Sequence, residues 1–202
     1  KETVTGESHL KKITRVSNVL KKGKADYLFI TASENIAWLL NIRGQDSDFS
    51  PLPNCFLVID KLLRIYLFCD LRKIDMKFKK KLNYIKIFEI NELENFLKKI
   101  SNKNFLIDSL TCSVFFKDII EKYNIIKINT DPTYYLKSQK NNREIKNIKK
   151  IHEYDGASLT KFLFWIQNNF KKKKITELSA QNKLLKFKKK FKQFKTMSFP
   201  TI

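Results

Sequence analysis

Ser33-Glu-Asn-Ile-Ala-Trp-Leu-Leu-Asn-Ile-Arg-Gly-Gln-Asp-Ser-Asp48 joins a short apolar run to a polar loop built on Arg43 and Gly44. Ile36, Ala37, Leu39 and Leu40 fit one helical face, and Ser33 is placed as the N-cap, where a hydroxyl takes an orphan backbone N–H. Asn41 and Gly44 end the helix. Arg43 is left on a loop flanked by Asp46 and Asp48, where a guanidinium meets a carboxylate of the protein or of a ligand. The plainer reading, a solvated loop arginine, stands beside that one.

Working outward, Tyr27-Leu-Phe-Ile-Thr31 is short, aromatic and β-branched, which predicts an interior strand feeding this helix. Upstream, Ser8 opens a helix with Leu10, Ile13, Val16 and Leu20 at three- and four-residue spacing, and Gly23 falls where a left-handed cap belongs. Downstream, Pro51 and Pro53 exclude helix, and Cys55 to Asp60 with Arg64 to Cys69 predict an antiparallel hairpin around Lys61-Leu62-Leu63. Helices and strands then alternate to Ile128. The class is α/β, a mixed β-sheet flanked by helices.

Pro132 marks a change, with residues 1–133 expected as one domain and 134–202 as the start of another. From Asn142 to Phe170 the positions Ile145, Ile148, Ile151, Leu159, Phe162, Leu163 and Ile166 trace one long helical stripe. Gly156 inside it predicts close packing of another element, since glycine costs about 1 kcal/mol against alanine there. Thr176 caps a second helix carrying Leu178, Leu184, Leu185, Phe187, Phe191 and Phe194. Two such stripes need a sheet to cover them.

The net charge is +21, with 17 Lys and one Arg against four acids in residues 137–202, net +14, and +7 in the remainder. Only five of the 41 basic residues are Arg, whereas base and phosphate recognition favours arginine forks. No specific nucleic-acid partner is expected. No apolar run nears the roughly 18 residues that span a bilayer, and the residues from Lys1 lack the apolar core of a signal peptide, so no membrane partner and a cytoplasmic location are expected. Cys55, Cys69 and Cys112 show no CxxC spacing and read as small buried hydrophobes.

Catalytic machinery is scarce. His9 and His152 are the two histidines, no HExxH pattern or Gly-x-Ser-x-Gly elbow occurs, and the four glycines make no phosphate loop. Asp46 and Asp48 lack the glycine and closing glutamate of a calcium loop.

Three stretches carry a resemblance. Asn35-Ile-Ala-Trp-Leu-Leu-Asn-Ile-Arg-Gly-Gln-Asp46 with Pro51 and Pro53, Lys137-Ser-Gln-Lys-Asn-Asn-Arg-Glu-Ile145 running on through Trp165, and Ile175-Thr-Glu-Leu-Ser-Ala180 with Met197-Ser-Phe-Pro-Thr-Ile202 resemble segments of Xaa-Pro aminopeptidases, in the creatinase/prolidase superfamily. The resemblance implies that residues 1–133 are the middle domain and 134–202 the first helices and first strand of an incomplete pita-bread catalytic domain. It implies an activity: removal of the N-terminal residue from peptides with proline second, by two divalent ions, commonly manganese, held by two Asp, one His and two Glu. Those ligands would follow Ile202, so neither His152, Asp155 nor Glu177 takes a metal role and this stretch alone is expected to be inactive. A homodimer is implied for the full-length enzyme, and Arg43 is the candidate substrate-binding residue. Two alternatives remain, a basic module for nucleic acid or acidic proteins and a dimerisation scaffold.

Overall fold

The computed structural model describes residues 2–172 and 174–199. It divides into two compact units, Lys1–Gln139 and Lys140–Ile202. In the first, α1 (Glu2–Thr5) and α2 (His9–Lys22) precede β1 (Tyr27–Ile30), α3 (Ser33–Leu39) and the strands β2 (Cys55–Asp60) and β3 (Ile65–Cys69). Next come α4 (Met76–Lys81), β4 (Ile85–Glu89), α5 (Leu93–Lys98), β5 (Asn104–Ile107), α6 (Val114–Glu121), β6 (Ile125–Ile128) and α7 (Pro132–Ser138).

The strands form one sheet in the order β4-β3-β2-β1-β5-β6. β2 runs antiparallel to both β1 and β3, while β1–β5, β3–β4 and β5–β6 are parallel, so the sheet is mixed. The hairpin register pairs Cys55 with Cys69 and Ile59 with Ile65. Its turn is fastened by Asp60, whose Oδ1 accepts the backbone N–H groups of Leu62 and Arg64, both at 2.9 Å, while Arg64 pairs with Oδ2. Leu63 takes φ 69 there.

Strands buried on both faces read as continuous apolar runs because successive side chains enter opposite layers. Leu28 and Ile30 join Leu57, Ile59, Ile65 and Leu67 in a layer with Ile13, Val16 and Leu20 of α2 and Ile36, Leu39 and Leu40 of α3. Phe29, Val58, Tyr66, Phe68 and Phe105 form the other layer with Leu93 and Leu97 of α5 and Ile120 of α6. Each fully buried large apolar side chain contributes about 1.5–3 kcal/mol.

Several helix ends differ from expectation. Leu10 is 53% exposed, whereas Lys12, one turn before Val16, is fully buried. Gly23 has φ −77 and is the C-cap; the left-handed position falls on Lys24, φ 51, one residue later. The cap forms there because the N–H of Lys24 reaches Lys21 O and that of Ala25 reaches Leu20 O, closing the end of α2 whatever residue occupies the turn. On α3 the N–H groups of Asn35 and Ile36 bond to Ala32 O, which makes Ala32 the N-cap and Ser33 the first helical residue, and alanine has no side-chain acceptor to cap with.

The second unit holds α8 (Asn142–Asn169) and α9 (Glu177–Lys188). Reciprocal bonds start both, Asn141 with Glu144 and Thr176 with Ser179. Tyr154 stacks on Phe191 at 4.7 Å, and Lys188 pairs with Asp155 at 2.6 Å. Gly156 does not mark a close approach: an added Cβ meets nothing within 4 Å. Met197 to Phe199 form no strand, and the rest of the anticipated one, Pro200 to Ile202, lies outside the described residues.

Candidate functional site

The turn after α3 is built from its last carbonyls. Leu40 is the C-cap, Asn41 takes φ 54, the N–H of Asn41 reaches Trp38 O at 3.3 Å and that of Ile42 reaches Ala37 O at 3.1 Å. This is a two-bond left-handed cap with asparagine in the turning position and a buried isoleucine after it. Asn41 therefore ends the helix, as its sequence position predicts, and Gly44 has a different task. Its N–H bonds to Pro51 O at 3.1 Å, and a Cβ there would lie 2.5 Å from Pro53 Cα and 2.6 Å from Pro53 N. Only glycine lets the returning chain pass so close.

Arg43 is exposed between them. Its Nη1 donates to Ala37 O at 3.2 Å and to Ile42 O at 2.7 Å. The expected pairing with Asp46 or Asp48 does not occur. Asp46 instead accepts the N–H of Asn54 at 2.6 Å and Lys73 Nζ at 2.5 Å, and the Lys73 and Asn54 bonds hold its carboxyl below the usual carboxylate range. The guanidinium is thus fastened by one nitrogen to backbone carbonyls, and among the described residues no carboxylate neutralises it. That leaves a fixed donor fork and a full positive charge facing outward, suited to a carbonyl or carboxylate.

Lys12 was not legible as part of this turn. Its Nζ donates to Trp38 O at 2.9 Å and Asn41 Oδ1 at 2.8 Å and sits 3.9 Å from the centre of the Trp38 ring. A buried ammonium is tolerated only with such partners, each charge-assisted bond contributing about 1.5–3 kcal/mol. Asn41 Nδ2 in turn donates to Glu7 O at 2.9 Å. The available signal was spacing, since Lys12 lies four residues before Val16 on the apolar face.

A second buried polar group ties the start of α3 to α7. Asn35 Nδ2 donates to Asp131 Oδ2 at 2.7 Å, Thr133 N to Asp131 Oδ1 at 2.8 Å, and Asp131 N to Asp108 Oδ2 at 2.9 Å. Burial pushes the Asp131 carboxyl up. An open cleft of about 390 Å³ lies at the amino ends of β1 and β5, lined by Lys21, Lys24, Ala25, Asp26, Lys61 and Asn104 and by no residue of the Arg43 turn. Its carboxylate, Asp26, is held at about 2 by the Asn104 N–H and Lys61.

Burial raises the thiols of Cys55 to about 12 and of Cys69 and Cys112 to about 11, so they are unreactive. Cys55 and Cys69 are buried, as expected, and Cys112 is half-buried. No group of three or more His, Cys, Asp or Glu side chains converges among the described residues. His152 is exposed, and Asp155 is bonded to Lys188. These residues do not fit a pair of divalent ions. No helix is long and apolar enough to cross a membrane among the described residues.

The six-stranded mixed sheet and its two helical layers define an α/β domain of the mixed-sheet class, with Arg43 displayed on the turn after α3. Residues 1–144 match the creatinase/prolidase N-terminal domain, and the chain belongs to that family. It is 30% identical over 206 residues to a probable Xaa-Pro aminopeptidase P of Laccaria bicolor, covering 98% of this chain and 32% of the relative. Xaa-Pro aminopeptidase 1 of Dictyostelium discoideum is 30% identical over 205 residues, with the same coverage. The chain therefore spans about a third of these curated relatives. Among solved structures, X-prolyl aminopeptidase of Caenorhabditis elegans, described as a cytosolic enzyme with a di-nuclear active site, superposes with a TM-score of 0.90 at 24% identity, covering 98% of this chain and 34% of that one. An Xaa-Pro dipeptidase of Bacillus anthracis gives 0.67 at 17%, covering 91% and 49%. These two likenesses establish the fold.

Proposed function

We propose that this chain is the scaffold and entry portion of a metal-dependent Xaa-Pro aminopeptidase, which removes the N-terminal residue from peptides with proline in second position. The observation that carries this reading is the match along 98% of the chain to Xaa-Pro aminopeptidases. In it, residues 1–133 form the middle domain and α8 and α9 open the catalytic domain. The two divalent ions, manganese by preference, are held by residues outside this 202-residue stretch. Homodimerisation and a cytoplasmic location belong to the same proposal.

Within this reading Arg43 is the part of the present chain that meets substrate. Its uncompensated charge and fixed fork suit a peptide carbonyl or carboxylate. The test is Arg43→Ala in the complete enzyme, with KM expected to rise about fivefold at unchanged kcat, the mark of lost uniform binding. Unchanged kinetics would remove Arg43 from the substrate pocket. The 202-residue chain itself, supplied with manganese, is expected to release nothing from an Arg-Pro-Pro peptide above a protein-free blank; steady release overturns the assignment of the metal ligands elsewhere.

A further inference from the structure

Lys12 is the one lysine among the described residues that is fully buried, and two of its acceptors lie at one turn. Trp38 O belongs to the last turn of α3, and Asn41 Oδ1 belongs to the residue that turns the chain at φ 54. Asparagine is tolerated in the left-handed region but not at ease there without side-chain support. Here its amide is engaged at both ends, Oδ1 by Lys12 and Nδ2 by Glu7 O. Arg43 follows two residues later and rests its Nη1 on Ala37 O, fixed within α3, and on Ile42 O, whose place depends on that turn.

We infer that Lys12 is the positioning residue of the Arg43 turn: from α2 it holds Asn41 in the left-handed conformation and so fixes where the guanidinium is displayed. The kinetic arm of its test rests on the proposed substrate role of Arg43; the structural arm does not.

The structural arm uses the 202-residue chain and the bond that trypsin cuts after Arg43. Proteolysis reports local opening, so Lys12→Met, which keeps the stem and removes the donors, is expected to speed cleavage at Arg43–Gly44 about tenfold relative to the exposed Arg72–Lys73 bond. Asn41→Gly in the Lys12→Met background is expected to return that ratio to within about twofold of the parent, since glycine takes the left-handed turn unaided. An unchanged ratio, or acceleration at both bonds together that glycine does not reverse, overturns the inference, because either result makes Lys12 a general core residue. In the complete enzyme Lys12→Met is expected to raise KM about as much as Arg43→Ala, to leave kcat alone, and to add nothing in the double variant. If Arg43→Ala is kinetically silent while the tryptic ratio behaves as stated, the substrate role of Arg43 fails and the positioning role of Lys12 stands. An additive double variant overturns the claim that Lys12 acts through Arg43.

Discussion

Gly44 shows how little of a residue's task is visible in its type. It reads as a helix terminator and is instead a point of close backbone approach, where an added Cβ would lie 2.5 Å from Pro53 Cα. Gly44→Ala is therefore expected to cost about 2 kcal/mol by shifting the returning loop, measured as a lower urea midpoint with an unchanged slope. His9 offers a pH test. Its ring stacks on Tyr84 at 5.0 Å, and burial, then the nearby Lys81 and Lys12, with Glu2 opposing, lower its pKa from 6.5. The fold thus favours neutral His9: its stabilising share is complete above pH 6.5 and is lost as pH falls from 6.5 through the lower folded value. Urea midpoints at about pH 7.5 and 5.0 should differ more for the parent than for His9→Asn; equal differences would show that His9 does not titrate against the fold. Arg43 was legible as a loop arginine because a polar run after an apolar helix exposes it. Its partners were not, since Asp46, near in sequence, is taken by Lys73 from another part of the fold.

At the scale of elements, the inner strands β1, β2, β3 and β5 were legible because both of their faces are apolar, and the hairpin because its two runs lie three residues apart. Helix ends were less so. Caps depend on where the backbone can close its last bonds, which put the left-handed turn on Lys24 rather than on the adjacent Gly23. Lys12 escaped because charge reads as solvent-facing, although helical spacing alone places it beside Val16. Gly156 carries the clearest consequence. Since no neighbour lies within 4 Å of an added Cβ, propensity alone decides, and Gly156→Ala should stabilise α8 by about 1 kcal/mol. A raised thermal midpoint in the far-ultraviolet helix signal checks this; a lowered one would mean that another surface packs on that position.

For the whole molecule, the two units differ in how much apolar surface they bury. The first closes two layers around the sheet, with Leu28, Leu57, Phe68 and Phe105 fully buried. In the second, Ser158 is the one buried residue of α8 among those described and α9 has none, while Ile145, Ile148, Ile151, Leu159, Leu163, Phe164, Phe170 and Leu178 stay exposed. Helices gain most of their stability from packing an apolar face, and this pair packs half-buried rather than buried side chains, Phe162, Ile166, Leu184 and Leu185 among them, helped by its caps, the Tyr154–Phe191 stack, the Lys188–Asp155 bond and Lys183 over the Trp165 ring. A net charge of +14 across residues 137–202 works against compactness as well. Hydrogen exchange on the intact chain should therefore show the amides of β1, β2, β3 and β5 opening only with global unfolding. Those of α8 and α9 should exchange at least about a hundredfold faster, and the gap should narrow as added salt screens the lysines. Equal protection in both units would mean that the exposed stripes of α8 and α9 are covered in solution. The dimerisation reading would then gain support, and a concentration dependence of the protection would identify the cover as a second copy.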